Sequence, residues 1–483
     1  MTNGMTSRRR FVLGGLMGFA GAAAAQTRKK PNVLFVAVDD LRPELGCYGH
    51  KTILTPNIDR IAKDGMVFLR AYCQQAVCSP SRSSLMTGAR PDTTKVWDLV
   101  THFRDAMPTQ PTVAGHFKNN GYFVQGMGKI FHGGYDDPRS WSVPWQTPEA
   151  TTYASPASER RQLTENRAKK GKGARGPAYE GADVPDNTFR DGKIAELAVA
   201  TLRELAKKPQ PFFLAVGFAK PHLPFISPKR YWDLYDPKEI KLAANPYHPK
   251  GAPEYALTAS GELRNYVGIP AEGPMPDSLA RTLKHGYYAA TSYMDAQLGK
   301  VLDELEKLGL RRNTIIVLWG DHGWKLGEHG EWCKHSNVEN DTNAPLVLAA
   351  PGMKNAGKRT RALVEFVDIY PTLADLAGLP LPAHLEGKSF RPVLENPERK
   401  WKSAAFSQYP RGKVMGYSMR TDRHRLTVWV ARDDHSKVEA VELYDHRADP
   451  QENTNIAAAN AALVQTLMEK WRGGWKQVLT EVG

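Results

Sequence analysis

Cysteine is scarce in this chain, with 4 among 483 residues, and so few thiols exclude a dense disulfide scaffold. No apolar segment reaches the roughly 20 uninterrupted residues that a membrane-spanning helix requires, so the sequence predicts no stable span. Internal repeats are absent, and the N-terminal segment described below is the one low-complexity tract. With 41% hydrophobic residues, these features exclude a disordered, collagenous or repeat-dominated protein and favour a globular chain with a large core.

Acidic residues are outnumbered by basic ones. The 65 Lys and Arg against 51 Asp and Glu give a formal net charge of +14. An anionic partner is therefore favoured over a cationic one. Composition leaves polysaccharide, nucleic acid and a membrane surface open as that partner.

The N-terminal segment, residues 1–25, carries the features of an export signal. A polar start with three arginines precedes an apolar stretch that begins at Phe11, and small residues fill positions 22–25. The arginines are Arg8, Arg9 and Arg10, and with the following Phe11 and Val12 they resemble the bacterial twin-arginine signal, which carries folded proteins across the membrane. We therefore expect an exported, periplasmic or extracellular protein; a short N-terminal anchor is the alternative.

Apolar runs that alternate with amphipathic helical patterns predict βαβ units. The uninterrupted apolar run from Asn32 to Val38 predicts a strand buried on both faces of a parallel sheet. Thr55 and Pro56 predict a helix start, with Thr55 as its capping residue, and Gly65 predicts the helix end. Further strands are predicted at 66–72, 122–125, 211–217 and 314–319, and further helices at 112–119, 187–207 and 277–308.

Two segments break this pattern. Residues 155–177 lose apolar content and gather seven basic residues, which predicts a mobile surface loop, either merely solvated or substrate-binding. Residues 395–400 are polar and contain Pro397, and shorter alternating segments follow them. We therefore expect a catalytic domain over residues 26–398 and a small C-terminal domain over residues 399–483.

The most informative stretch runs from Cys78 through Pro80, Ser81 and Arg82 to the sequence Leu-Met-Thr-Gly at 85–88. A cysteine at the start of a helix lies among unpaired backbone N–H groups that favour negative charge, so it could act as a nucleophile; a buried structural cysteine is the alternative. The pattern Cys-x-Pro-Ser-Arg followed by Leu-x-Thr-Gly resembles the signature of the type I, formylglycine-dependent sulfatases. The resemblance implies that a maturation enzyme, the formylglycine-generating maturase, oxidises Cys78 to formylglycine.

Acidic residues follow two predicted strands. Asp39 and Asp40 come directly after the first strand, and Asp321 and His322 come after the strand at 314–319. Helix caps or surface positions are alternatives, but ligands of open α/β sheets bind at this edge. The resemblance implies one divalent cation, held by these four residues and Cys78. Carboxylates suit Ca²⁺ or Mg²⁺ and an imidazole also suits Mn²⁺, so we expect Ca²⁺ with the other two ions open.

Lysine and histidine lie close together in two further segments, 129–132 and 220–225. These segments and the stretch 321–334 resemble the iduronate-2-sulfatase group of the same family. The resemblance implies that Lys129 and Lys334 hold sulfate oxygens and that His222 protonates the leaving oxygen. It also implies that His132 supports the formylglycine hydroxyl and that Arg82 fixes the modified residue beside the carboxylates.

As a whole, the resemblance implies an alkaline-phosphatase-like fold: a large, mostly parallel sheet flanked by helices, and a small C-terminal domain with an antiparallel sheet. The implied activity is hydrolysis of sulfate esters on 2-O-sulfated uronic acid or a related sulfated carbohydrate, with no nucleic-acid partner. A phosphonate or phosphodiester hydrolase of the same superfamily and a non-catalytic secreted polyanion-binding protein are the alternatives. A disulfide between Cys47 and Cys73 stays open.

Overall fold

The computed structural model describes residues 30–168 and 175–482, together with residues 1, 2 and 4. The predicted export signal therefore lies outside the described residues. So does part of the basic segment, residues 169–174.

The strands of the described residues are, in chain order, β1 (Asn32–Val38), β2 (Met66–Phe68), β3 (Ala71–Tyr72), β4 (Phe123–Gly128), β5 (Arg175–Pro177), β6 (Tyr179–Ala182), β7 (Phe212–Phe218), β8 (Phe225–Pro228), β9 (Tyr266–Val267), β10 (Thr314–Gly320), β11 (Leu346–Ala349), β12 (Lys358–Thr360), β13 (Val364–Glu365), β14 (Ala404–Arg411), β15 (Val414–Thr421), β16 (His424–Ala431) and β17 (Val438–Asp445). The helices are α1 (Pro56–Asp64), α2 (Cys78–Thr87), α3 (Pro91–Thr94), α4 (Val113–Asn119), α5 (Pro156–Ala168), α6 (Arg190–Leu205), α7 (Lys229–Trp232), α8 (Gly261–Arg264), α9 (Asp277–Lys307), α10 (Glu339–Thr342), α11 (Ile369–Leu376), α12 (Arg391–Glu395) and α13 (Ala461–Thr480).

A seven-stranded sheet forms the centre, in the order β12-β2-β11-β10-β1-β7-β4. Strand β1 pairs in parallel with β10 and β7, and β7 pairs in parallel with β4, whereas β11 runs antiparallel to β10 and β2. Alternate side chains of β1 point to opposite faces: Val33 and Phe35 join the core beneath α2, α4 and α11, while Leu34 and Val36 join the core beneath α1, α6 and α9. Burial on both faces explains why β1 is apolar throughout.

A second, four-stranded antiparallel sheet, β14-β15-β16-β17, follows near the C-terminus. Helix α13 packs on one face of this sheet through Leu467 and Val478. Lys402, just before β14, joins the start of this sheet to β13 and the residues that follow it, because its Nζ lies 2.8 Å from Glu365 and 2.7 Å from Asp368. The predicted large parallel sheet and small antiparallel sheet are both present, while the domain boundary at residues 398 and 399 stays a prediction.

Several local predictions need correction. Thr55 does not cap α1 with its side chain; the carboxylate of Asp295 on α9 accepts the backbone N–H groups of Asn57 and Ile58, at 3.0 and 2.8 Å. The predicted strand at 66–72 is two short strands, β2 and β3. Within the basic segment, which the sequence predicts to be a surface loop, Pro156–Ala168 form the helix α5. Ser155 Oγ accepts the N–H of Ser158 at 3.1 Å and so caps α5, which is rich in helix-forming residues.

All four cysteines are buried and unpaired, so Cys47 and Cys73 form no disulfide here. Burial and the neighbouring carboxylate of Asp59 raise the pKa of the Cys47 thiol to about 12. Cys333 packs with its Sγ beside the hydroxyl groups of Thr258 and Ser260.

Candidate active site

The carboxyl ends of β1 and β10 bring two polar pairs together. These strands are parallel neighbours in which Val38 pairs with Gly320, so the residues that follow, Asp39–Asp40 and Asp321–His322, lie side by side. All four side chains are fully buried. The backbone N–H of Asp40 donates to Asp321 Oδ1 at 3.0 Å, while Tyr287 donates its hydroxyl to the Asp40 carbonyl at 2.8 Å. Asp40 is held with a φ of 56°, in the left-handed region.

Helix α2 brings Cys78 to this edge. The Sγ atom lies 3.5 Å from Asp39 Oδ1 and 3.4 Å from His322 Nε2. All ten residues of α2 are buried, which fixes the helix against the sheet. Burial, together with the charge of Asp39, raises the pKa of the Cys78 thiol well above its usual range.

Arg82, one turn along α2, joins the two strand ends. Its Nε donates to Asp321 Oδ2 at 2.9 Å and its Nη2 donates to Asp39 Oδ1 at 3.0 Å. The remaining guanidinium N–H groups reach the backbone carbonyls of Lys129 and Ile130. Because the guanidinium has no exposed surface, it acts as a fixed internal counter-ion for two carboxylates.

Two lysines lie against the polar strand ends. Lys129 Nζ contacts Asp39 Oδ2 and lies 3.9 Å from Cys78 Sγ. Lys334 Nζ lies 2.9 Å from Asp40 Oδ1. Burial alone would lower the pKa of Lys129, but the carboxylate of Asp39 outweighs burial and raises the pKa to about 12. Both lysines are therefore cationic at neutral pH.

The imidazole of His222 is oriented by a carboxylate that sequence reasoning missed. Its Nε2 lies 3.0 Å from Glu262 Oε1 and 3.8 Å from Asp40 Oδ2, while its Nδ1 lies 2.6 Å from the Leu223 carbonyl. Glu262 Oε2 also lies 2.8 Å from Lys334 Nζ. Burial alone would raise the pKa of Glu262, but Lys334 and His222 hold it well below its usual range. Glu262 lies on the four-residue helix α8, and no motif or strand end in the sequence marks it.

His132 lies in the same cavity but makes no hydrogen bond to Cys78 within the described part of the chain. Its ring stacks on Tyr135 at a centroid distance of 6.3 Å, and its buried Nδ1 has no partner. Burial, together with the charges of Lys129 and Arg82, lowers the pKa of His132 to about 4, so the imidazole is neutral at pH 7. Its predicted support of the residue at position 78 stays a prediction.

A cavity of about 790 Å³ opens onto Cys78, a volume suited to a sugar-sized ligand. Its lining includes Cys78, Lys129, His132, His222, Glu262, Lys334, Arg175 and Arg190. The two lysines are paired with buried carboxylates. Arg175, by contrast, has Tyr266 as its polar side-chain partner at 3.2 Å, and Arg190 is exposed without a carboxylate partner among the described residues. The rim of the cavity is therefore more cationic than its floor.

The donor set at the floor suits a divalent cation. Ligand atoms of Asp39, Asp40, Cys78 and His222 lie within 4.8 Å of one another, and so do those of Cys78, Asp321 and His322. His322 Nδ1 lies 3.0 Å from the Gly323 carbonyl, which assigns its proton to Nδ1 and leaves the Nε2 lone pair facing the other donors. Carboxylate oxygens with one imidazole nitrogen fit Ca²⁺, Mg²⁺ or Mn²⁺.

A third acidic group lies away from this cavity and is already neutralised. Glu339 and Glu452 are bound by Arg425, at 2.6 Å in each case, and Arg420 adds a further ion pair to Glu339 at 3.1 Å. His446 completes the group at 2.7 Å from Glu452. These ion pairs join α10 to the C-terminal sheet and leave no free carboxylate for a metal.

Family comparisons match both parts of the chain. The family model described as Sulfatase matches residues 31–379, well over half of the chain. The chain belongs to the sulfatase family. A second model, described as N-sulphoglucosamine sulphohydrolase, C-terminal, matches residues 327–473 of this sulfatase. The predicted family and enzyme class are thus confirmed, and the protein is a sulfuric ester hydrolase.

Two similar curated proteins carry the same name. Iduronate 2-sulfatase of Mus musculus is 37% identical over 510 residues, which cover 88% of this sulfatase and 90% of the mouse protein. Iduronate 2-sulfatase of Homo sapiens is 36% identical over 521 residues, covering 90% of this chain and 92% of the human protein. The likeness therefore extends over nearly the whole chain.

Solved structures share the fold. A protein in complex with its substrate D-glucosamine-2-N,6-O-disulfate matches with a TM-score of 0.73 at 23% identity, covering 93% of this chain and 99% of that chain. The phosphonate monoester hydrolase of Agrobacterium radiobacter matches with a TM-score of 0.70 at 22% identity, covering 92% and 95%. The predicted alkaline-phosphatase-like fold is confirmed. Within the described residues, no helix is both long and apolar enough to cross a membrane.

Proposed function

We propose that this sulfatase removes the 2-O-sulfate of a uronic acid residue, using formylglycine at position 78 and one divalent cation. The observation that carries the proposal is the convergence of two acidic strand ends, the buried Lys334 and the half-buried Lys129 around Cys78, which lines the cavity. The two iduronate 2-sulfatases, similar over about nine-tenths of the chain, support the choice of sugar.

The chemistry requires charge balance first. A sulfate ester is anionic, so its non-bridging oxygens need cationic partners in the site. Lys129 and Lys334 supply these cationic partners. The Lys129 ammonium lies 3.9 Å from Cys78 Sγ, and the Lys334 ammonium lies 2.9 Å from Asp40 Oδ1. A divalent cation held by Asp39, Asp40, Asp321 and His322 would supply Lewis acidity toward the same oxygens.

The leaving sugar oxygen is a poor alkoxide and needs a proton as the ester bond breaks. His222 is the proposed acid, since its Nε2 faces the cavity floor within 3.8 Å of Asp40 Oδ2. Glu262, 3.0 Å from the same nitrogen, holds the ring in place.

Position 78 needs a nucleophile that can also release its product. Hydrated formylglycine at this position would supply one hydroxyl that attacks sulfur as the bond between sulfur and the sugar oxygen breaks. Loss of the proton of the second hydroxyl would then re-form the aldehyde and expel sulfate. Arg82 holds Asp39 and Asp321 beside this position and so keeps the surrounding carboxylates in place. A formylglycine-generating maturase and an export route are parts of the same proposal.

Defined sulfated oligosaccharides test the substrate. The mature enzyme is incubated with disaccharides that carry a single sulfate at the 2-O position of a uronic acid, or at the N-, 3-O- or 6-O-position of a glucosamine, and sulfate release is measured. We expect release from the 2-O-sulfated uronate at least about tenfold faster than from the others. Preferential release from a glucosamine sulfate would overturn the choice of sugar while leaving the sulfatase activity intact.

The same assay addresses the alternatives. A phosphonate or phosphodiester hydrolase would use a similar metal and cationic cavity, so a phenylphosphonate ester is included in the panel. The solved phosphonate hydrolase shares the fold at 22% identity, which carries no argument for its substrate. A non-catalytic polyanion-binding protein would bind the oligosaccharides without releasing sulfate, although binding alone requires neither a nucleophile nor a metal site.

A further inference from the structure

A second cavity, of about 620 Å³, lies between α3, the C-terminal sheet and α13. Among the described residues it shares no lining residue with the catalytic cavity. Its walls include Trp471 and Trp475 of α13, on either side of Gly474, where the helix is interrupted by a φ of 65°. The cavity is thus a separate pocket built by both parts of the fold.

Aromatic rings form much of this pocket. Trp471 lies 6.3 Å from Tyr417 between ring centroids, and Trp475 covers the guanidinium of Arg90 at 4.9 Å. Both tryptophans are half-buried, and neither indole N–H donates a hydrogen bond to a described residue. Flat apolar rings with free N–H donors at their edges are suited to a sugar ring, which offers C–H faces and oxygen acceptors.

The carboxylates of the pocket are already satisfied. Asp92 accepts hydrogen bonds from Gln408 Nε2 and the Tyr417 hydroxyl, both at 2.9 Å. Glu386 accepts from the Arg90 backbone N–H and from the hydroxyl of Thr93, both at 2.6 Å. Neither acid therefore needs a further donor from a ligand.

Some hydrogen-bond donors and positive charges of the pocket, by contrast, have no partner among the described residues. Gln74 is 1% exposed, and its buried Nε2 has no hydrogen-bond partner. Arg472 and Lys476 are exposed on α13 and form no ion pair with a described residue. An occupant that fits this balance is rich in acceptors and anionic.

We propose that this cavity binds an anionic sugar residue of a longer glycan, at a distance from the residue that is desulfated. The chain itself connects the two sites: Asp92 and Thr93 line this cavity, and Leu99, a few residues on, lines the catalytic one. Leu99 and Val100, at the catalytic end of this segment, are exposed. That the glycan also reaches the catalytic cavity rests on the proposed function; binding in the second cavity does not.

Binding is measured without turnover, by calorimetry on full-length Cys78→Ala protein. The probes are a heparin-derived hexasaccharide, a 2-O-sulfated uronate monosaccharide and neutral maltohexaose. Trp475→Ala removes an aromatic wall, and the double substitution Arg472→Gln/Lys476→Gln removes two exposed charges without touching the core. The matched control is Lys238→Gln/Lys241→Gln, which removes two exposed lysines that line neither cavity.

We expect both cavity variants to raise the Kd of the hexasaccharide by at least about fivefold, while the Kd of the monosaccharide changes less than about twofold. The control variant should bind the hexasaccharide like the parent protein, and maltohexaose should bind far more weakly. An unchanged hexasaccharide Kd in the double variant overturns the proposal. Equal weakening by the control, or equally tight maltohexaose binding, does the same. A failure of the proposed function would appear instead in the sulfate-release assay of the unsubstituted enzyme, with these Kd values still readable.

Discussion

Glu262 places its Oε1 atom 3.0 Å from His222 Nε2. This contact joins a short helix, α8, to the loop that follows β7, and it gives the proposed acid a buried carboxylate partner. Glu262 also pairs with Lys334, so its removal changes the environment of both the proposed acid and a proposed sulfate ligand.

Substitution Glu262→Gln should lower the rate for substrates with a poor leaving group more than for substrates with a good one. Without the carboxylate, the His222 ring loses the contact that orients its Nε2, so kcat for an alkyl or sugar sulfate should fall roughly tenfold to a hundredfold. Hydrolysis of 4-nitrophenyl sulfate, whose leaving group needs no proton, should change less than about threefold. Steady-state kinetics with both esters measure the difference, with Glu254→Gln, on an exposed glutamate, as control. Equal losses on both esters would show that Glu262 acts through Lys334 or through the fold.

Substitution Asp321→Ala should abolish metal binding and turnover. Asp321 is fully buried and shares Arg82 with Asp39, so the change removes a ligand and leaves a buried guanidinium short of one partner. We expect activity to fall at least about a hundredfold and the purified variant to lose its metal in elemental analysis. Asp341→Asn, at a buried carboxylate paired with Lys325, controls for general destabilisation. Stoichiometric metal in Asp321→Ala would refute the assignment.

Cys78 should carry an aldehyde in protein purified from its native host. Mass spectrometry of the tryptic peptide that contains Cys78, before and after reaction with a hydrazide, measures the modified fraction. Activity should scale with that fraction across preparations. An unmodified thiol in fully active enzyme would contradict the formylglycine mechanism.

Acid should lower the free energy of unfolding because it protonates Glu328. Burial alone would raise the pKa of Glu328, but the paired guanidinium of Arg42, 2.8 Å away, lowers the pKa from its ordinary value of 4.5 to about 2. A lowered carboxyl pKa stabilises the folded state above pH 4.5, and this stabilisation, of about 3 kcal/mol, is lost as pH falls toward 2. Urea unfolding from pH 3 to 7 should show a shallower pH dependence for Glu328→Gln than for the parent. Identical slopes would contradict this assignment.

Export should depend on the arginines of the N-terminal segment, which lies outside the described residues. Lysine substitution of Arg8 and Arg9 alone leaves Arg10 available, so the triple substitution of Arg8, Arg9 and Arg10 is the cleaner test. The precursor should then accumulate inside the cell, as judged by fractionation and immunoblotting. A normal periplasmic yield from the triple variant would show that the general secretory route suffices.

The sequence alone predicts that the two polar strand ends lie close together. Each pair follows an uninterrupted apolar run, and parallel strands present their carboxyl ends at one edge of a sheet. The structure agrees with that expectation, because Val38 pairs with Gly320, more than 280 residues later in the chain. Periodicity also predicted α9 almost to the residue, because its apolar stripe is long and regular.

Other features depend on tertiary contacts that a pattern cannot reveal. Glu262 lies in a polar stretch whose significance arises when α8 is placed beside His222. Thr55 has the sequence of a helix cap, but Asp295 from α9 occupies that role in the folded chain. The basic segment at 155–177 has the charge density of a surface loop, but helix propensity and the Ser155 cap produce α5 over Pro156–Ala168.

The burial of α2 has a consequence for biogenesis. Cys78 is 3% exposed, and every residue of α2 that follows it is packed inside the protein. A sugar sulfate can approach the sulfur through the cavity, but an enzyme that must grasp the surrounding peptide has no access to it once the chain has folded. The proposed oxidation of Cys78 would therefore have to precede folding, and a chain that folded before meeting the proposed maturase would keep an unmodified thiol at this position.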